Sequence, residues 1–339
     1  MSIMILQTKR IFVRKATLHD VDFYLTLWNS DKVMKLVGYP TGLGISKNKV
    51  EKIISEQNES VFDKTLVVID KNSDTRIGEC KLGSPNADKI STIDIKLLPE
   101  YWGKGYGKEI VSALYQYLFS KTDCIIISVT PNLLNIASQR IHKSLGGEDV
   151  GRGTYHFPAN QKSHTEDVNF IEFHIKKNDW LNKQLCIKRI KEPLVKSDIC
   201  TKIILNLPAW FGIAESNEAM DKAVRETDFY AAFFNEIPVG FYSVVSHFPQ
   251  TSEIYVCGIL ENYQRLGIGS ALQRKIEEDL RNKDVSYLTV KTLSSAHPDK
   301  SYSKTRKFYQ DQGFLPVEEF KDIWGKENPC LMLIKNIQE

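Results

Sequence analysis

A chain of 339 residues is too long for one ordinary compact core and suits two domains of about 100–200 residues each. Hydrophobic residues make up 42% and charged residues 26%, a soluble globular balance, and the net charge of +3 gives no electrostatic case for a nucleic-acid or membrane partner. No apolar run reaches about 18 residues, the first residues carry no small-residue cleavage pattern, and the cysteines stand singly with no C-x-x-C pair. The chain therefore reads as a cytoplasmic protein with reduced thiols and neither a membrane span nor a metal site.

In chain order, a strand near residues 93–97 runs into a short turn carrying Tyr101, a glycine-rich stretch, and a helix marked by Ile110, Leu114, Tyr117 and Leu118. A strand over residues 124–129, a short helix over 138–145 and a strand over 169–175 follow. Residues 176–184 are polar apart from Trp180 and Leu181 and read as a linker with at most one helical turn. A strand at residues 186–190 opens a second run, in which Leu207-Pro-Ala-Trp-Phe-Gly212 forms an aromatic turn before a short helix. The strand–turn–glycine–helix pattern then recurs: a strand near residues 255–259, a turn carrying Tyr263, glycines, and a helix marked by Leu272, Ile276 and Leu280. A strand over residues 287–290, a polar loop over 293–300 with His297 and Pro298, and a helix over 302–312 complete it. Matching elements in matching order predict a duplicated domain, with boundaries at 1–178 and 186–339.

A strand entering a glycine turn and then a helix leaves free backbone N–H groups at the positive end of the helix dipole, which is the chemistry of a phosphate cradle. The pattern G-x-x-x-x-G-K-[ST] is absent and G-x-G-x-x-G is unmet, so neither a P-loop nor a dinucleotide fold is indicated. An ordinary tight turn is the plainer reading of one such glycine run; two in the same context favour a ligand.

Gln264-Arg265-Leu266-Gly267-Ile268-Gly269 resembles the Q/R-x-x-G-x-G/A pyrophosphate motif of the GNAT superfamily of acyl-CoA N-acyltransferases. Trp102-Gly103-Lys104-Gly105-Tyr106-Gly107 matches its glycines, with Trp where Gln or Arg is usual, and resembles the branch that acetylates ribosomal-protein N-termini, where Trp is common. The resemblance covers nearly the whole chain. It implies an α/β protein of the α+β type: two domains, each a mixed, mostly antiparallel central sheet with flanking helices. It also implies acetyl-CoA as co-substrate, with no metal, held by Ile259, Leu260, residues 264–269 and Ser270 in the second domain. In the first domain the matching positions are Leu98, residues 102–107 and Lys108, with Asn135 against the pantetheine arm.

Acyl transfer from a thioester to an amine needs a base for the amine and an acid for the departing thiolate. Glu253, eleven residues before Gln264, stands where the histone-acetylating branch carries its general base. Tyr309 stands where the superfamily carries the thiolate's proton donor. A solvated strand-end charge and ordinary core packing are the bland readings of the two. The same offsets in the first domain give Ser91, a poor base, and His142, a proton donor or a surface helix residue; Ser138 and Asp94 are further candidates. The expected activity is N-acyl transfer, from acetyl-CoA, to a small-molecule or peptide amine, with the second domain the better equipped. The alternative is a CoA-binding regulatory or scaffold protein with one or both domains inactive.

Overall fold

In a computed structural model describing residues 4–161, 163–298 and 301–338, the chain divides into two units, the first ending at Lys183 and the second beginning at Gln184. The first contains β1 (Met4–Gln7), β2 (Ile11–Lys15), α1 (Val21–Trp28), α2 (Asp31–Met34), α3 (Lys47–Ser55), β3 (Leu66–Asp70), β4 (Arg76–Leu82), β5 (Ile90–Leu97) and α4 (Tyr106–Lys121). It continues through β6 (Ile126–Val129), α5 (Ile136–Ser144), β7 (Glu148–Tyr155), β8 (Val168–Lys176) and α6 (Lys177–Gln184). The second contains β9 (Leu185–Ile190), α7 (Pro193–Ile204), α8 (Ala214–Val224), β10 (Asp228–Phe234), β11 (Ile237–Phe248), β12 (Thr251–Ile259) and α9 (Ile268–Arg281). It closes with β13 (Tyr287–Leu293), α10 (Ser301–Asp311), β14 (Leu315–Phe320) and β15 (Cys330–Asn336). Among the described residues no helix is long and apolar enough to cross a membrane.

The first sheet runs β1-β2-β3-β4-β5-β6-β8-β7 and the second β14-β15-β13-β12-β11-β10-β9. All neighbours are antiparallel except β5 with β6 and β12 with β13. These parallel pairs are short. β5 and β6 are in register only over Ile90–Thr92, and β12 and β13 only over residues 251–254. Beyond Thr92 and Ile254 the strands part while β5 stays paired to β4 and β12 to β11. On β12 the parting coincides with a bulge: Val244 faces Ile254 and Ser243 faces Val256, leaving Tyr255 as the extra residue.

Apolar helix faces close each sheet. In the first unit α1, α2 and α3 bury Tyr24, Leu27, Trp28 and Val50 against Val67 and Ile69 of β3. In the second, α7 and α8 bury Ile199, Ile203 and Val224 against Phe229, Phe241 and Val256. The polar stretch read as a linker is largely helix α6. Trp180 is fully buried, 5.2 Å from the Phe119 ring, and its backbone lies against Gly146. Two apolar anchors in eight residues suffice to dock a helix whose remaining surface is polar.

Candidate functional site

The two glycine turns are built by the same hydrogen bonds. After β5 a turn of 3-10 helix spans Pro99–Tyr101, and after β12 another spans Glu261–Tyr263. The Leu98 N–H donates to the Ile77 carbonyl at 3.0 Å and the Leu260 N–H to the Val239 carbonyl at 2.9 Å. Trp102 Nε1–H donates to the Leu97 carbonyl at 2.9 Å, and Gln264 Nε2–H donates to the Ile259 carbonyl at 3.0 Å. An indole and a carboxamide thus make one and the same bond to the last residue of the strand, which accounts for Trp at a Gln position.

Gly103 (φ 71°) and Arg265 (φ 64°) are both left-handed, as are Gly105 (φ 81°) and Gly267 (φ 96°), the residues that cap α4 and α9. A non-glycine residue there costs about 1–2 kcal/mol, so Arg265 holds strain that Gly103 does not. Gly107 and Gly269 are required for a different reason. A Cβ would lie 3.1 Å from Ile141 Cδ1 on α5 and 3.0 Å from Phe308 Cζ on α10, respectively.

The first four N–H groups of a helix lack intrahelical acceptors and lie at its positive end. Neither capping glycine has a side chain to cover them, and the space above Gly103 is open to 4 Å. These turns fit a diphosphate. Leu266 and Ile268 have buried side chains and so can offer a ligand only backbone, while Lys108 and Ser270 lie in the first turns of α4 and α9. Tyr106 is tied to the scaffold, its hydroxyl donating to Asp70 Oδ2 at 2.5 Å. Asn135 serves as the N-cap of α5, its Oδ1 accepting the Ser138 N–H at 3.0 Å.

Arg10 joins the first turn without any local signal in the sequence. Its Nε–H donates to Glu109 Oε2 at 2.6 Å and its Nη1–H to the Lys104 carbonyl at 3.0 Å, and its guanidinium lies 4.2 Å over the Tyr106 ring. It stands 99 positions from Glu109, a separation at which no spacing rule operates.

The candidate acid lies on α10 and the candidate base on β12, just before that strand parts from β13. In the second unit the Tyr309 hydroxyl reaches Cys257 Sγ at 3.1 Å, three residues beyond the last paired position of β12. Burial raises both groups, Cys257 to about 11 and Tyr309 well above the ordinary phenol value, so the phenol is protonated at neutral pH. Glu253 faces Val245 and Cys257 faces Tyr242 across β11, so Glu253 and Cys257 lie on opposite faces of the sheet. The Glu253 carboxylate accepts from Lys291 Nζ at 2.8 Å on both oxygens and contacts His247 Nε2 at 2.7 Å.

The first unit differs at each of these positions. Ser91 is buried and donates to the Gly83 carbonyl at 2.7 Å, a purely structural bond. His142 is not a surface helix residue: it is buried, with Nδ1 2.6 Å from the Tyr115 hydroxyl. Burial pushes its pKa down to about 4, so the imidazole is neutral and cannot serve as an imidazolium acid. The helical period alone did not place it on the inner face, because His at that position is compatible with either side.

A cleft of about 370 Å³ opens in the first unit between α1, the segment after α2, and β4 and β5. Its floor is Glu79, Lys81, Asp94 and Lys96, and Trp28, Tyr39, Leu43 and Ile45 line its other side. Lys96 Nζ bridges Glu79 at 3.0 Å and Asp94, while Trp28 Nε1–H donates to Glu79 Oε2 at 2.9 Å. Burial works to raise Asp94, and the Lys96 and Lys81 ammonium groups outweigh it, holding Asp94 below the usual carboxylate range.

Two features singled out in the sequence are tied into the scaffold. Trp210 packs against the α7–α8 core, and its carbonyl accepts the Tyr302 hydroxyl at 3.2 Å. In the polar loop, Ser294 is buried and Arg306 Nη1–H donates to the carbonyls of Leu293 and Ser294 at 2.8 and 3.0 Å; residues 299 and 300 lie outside the described residues.

Comparison with known proteins matches an acetyltransferase (GNAT) domain to residues 10–148 and an acetyltransferase (GNAT) family model to residues 203–314. An uncharacterized N-acetyltransferase, p20, of Bacillus licheniformis is 24% identical over 149 residues, 43% of this chain and 83% of that protein. Spermidine N-acetyltransferase from Vibrio cholerae, solved with CoA and spermine, is 19% identical with a TM-score of 0.44, covering 52% of this chain and 100% of that one. A Vibrio cholerae protein assigned provisionally as a ribosomal-protein-serine acetyltransferase is 17% identical with a TM-score of 0.42, covering 51% and 97%. The chain belongs to the GNAT acetyltransferases and is a GNAT-type N-acetyltransferase with two such domains in tandem.

Proposed function

We propose that the chain transfers an acetyl group from acetyl-CoA to a primary amine by direct attack, and that the second unit is the faster catalyst. The reading rests on one observation above others: Tyr309 turns its hydroxyl onto β12 just past the point where β12 and β13 separate. His142, at the matching place, is neutral and bonded to Tyr115 instead.

In this mechanism the diphosphate lies on residues 264–269 and the thioester lies between the parted strands. The amine nitrogen attacks the thioester carbonyl; the N–C bond forms and the C–S bond breaks. Glu253 takes the amine proton through His247, whose side chain is 45% exposed and so open to an entering acceptor. Tyr309 gives its proton to the departing thiolate from the opposite face. Lys291 holds the Glu253 carboxylate in place. Holding both reactants together supplies a further part of the barrier reduction without metal or covalent intermediate.

Steady-state kinetics over a panel of amines tests the assignment. Tyr309→Phe lowers turnover by about 10²–10⁴-fold with CoA affinity nearly unchanged. Glu253→Gln lowers it most at low pH, where the ammonium is hardest to deprotonate. Near wild-type rates in both variants on the true acceptor would leave positioning as the whole of catalysis.

A further inference from the structure

The charged floor of the first-unit cleft has a pattern that specifies a ligand. Glu79 pairs directly with Lys96 and Lys81 pairs directly with Asp94 across β4 and β5. Residues two apart on a strand share a face, so the four side chains form a two-by-two square in which the sign alternates along both edges.

The two rows differ in what they leave available. Glu79 is saturated by Lys96 and Trp28, and its side chain is 2% exposed. In the other row the Asp94 side chain is 43% exposed, and the half-buried Lys81 ammonium has no hydrogen-bond partner among the described residues. An anion and a cation on adjacent strands therefore both face the cleft. The opposite side is aromatic and aliphatic, through Trp28, Tyr39 and Ile45.

The second unit has no such square. Leu97 pairs with Gly78 as Ile259 pairs with Gly240, so counting back from these anchors puts Phe241, Ser243, Val256 and Gly258 at the matching positions. That face is packed: a Cβ on Gly258 would lie 3.1 Å from Leu207 Cδ1 and 3.2 Å from Ile203 Cγ2.

We infer that the first-unit cleft binds a zwitterion of the free α-amino acid class with an apolar side chain, its ammonium on Asp94 and its carboxylate on Lys81. A dication meets two lysines on this floor, and a dianion meets two carboxylates. Only a ligand that carries both charges on one carbon finds a partner for each, while its side chain lies under Trp28 and Tyr39. The cleft volume falls in the range of small-molecule sites, about 300–1,000 Å³. The site stands whether or not the first unit turns over, and the two domains then differ in ligand class as well as in proton-transfer groups.

Calorimetric titration of the full chain decides it, using L-phenylalanine and L-leucine, their amides, their N-acetyl forms and a short alkyl diamine. The free amino acids bind, and removing either charge weakens binding by about tenfold or more. Lys81→Met makes amino acid and amide bind alike, and Asp94→Asn brings the amino acid down to the level of its N-acetyl form, with circular dichroism confirming that both variants fold. Equal binding of amino acid and amide by the unaltered chain overturns the inference, as does preference for the diamine or no binding of any compound at millimolar concentration. Discrimination that survives in both variants also overturns it, because the site then lies elsewhere. CoA binding and acetyl transfer to a simple alkylamine are read in the same samples. A chain that does both but ignores amino acids fails this inference alone, whereas one that does neither fails the catalytic reading.

Discussion

Trp102 and Gln264 share little except an N–H that reaches the same carbonyl. Trp102→Gln should therefore keep CoA binding by the first unit, while Trp102→Phe should weaken it by about 1 kcal/mol, roughly fivefold, the worth of one hydrogen bond. Equal affinity in both variants, measured by titration, would mean the indole acts by bulk alone. His142 carries a second residue-scale consequence. Its folded pKa is about 4 against an ordinary 6.5, so the unfolded chain takes up a proton first as the pH falls. The stability present above pH 6.5 is lost progressively down to about pH 4, by up to about 3 kcal/mol. Denaturant midpoints at several pH values should show this slope, and His142→Gln should flatten it. An unchanged slope in the variant would assign it to other groups. Neither the buried His142 nor the capping role of Asn135 was legible from sequence. Both depend on which way a short helix turns, and a nine-residue helix with few apolar positions leaves that open.

At the scale of elements, the turn and the helix it feeds act as one device. Left-handed glycines cap α4 and α9, and Gly107 and Gly269 let α5 and α10 approach closely enough to brace them. Gly105→Val or Gly267→Val forces a β-branched residue into a left-handed backbone and fills the space a diphosphate would take. Each substitution should remove one CoA equivalent from a calorimetric titration and leave the other cradle intact. Loss of both equivalents from either change would show that the cradles are not independent. These elements were readable in advance because glycine spacing and apolar period speak to local geometry. The helix α6 was not, because its identity rests on Trp180 finding Phe119, a contact formed across the fold. Arg10 was missed for the same reason: its partners Glu109 and Lys104 lie far along the chain.

Across the whole molecule, duplication preserved the backbone and released the side chains. The turns and caps correspond bond for bond, while Tyr309, Glu253 and the charged square each occur in one unit. Sequence reading recovered the repeat and the family because those rest on backbone requirements. It did not recover the cleft, since alternate charges along β4 and β5 become a square only when the register aligns them. The parting of the strands has a kinetic signature of its own. Interior strands normally hold the slowest-exchanging amides of a protein, because each N–H is locked in a ladder. Here every second amide of β5 beyond Thr92, and of β12 beyond Ile254, points toward a neighbour that has moved away. In deuterium labelling, alternate amides at the very centre of each sheet should therefore exchange faster than those of the flanking strands β4 and β11. Added CoA should slow them selectively. Uniform protection across the centre of both sheets in the free protein would mean that the strands close up in solution and open only for the ligand.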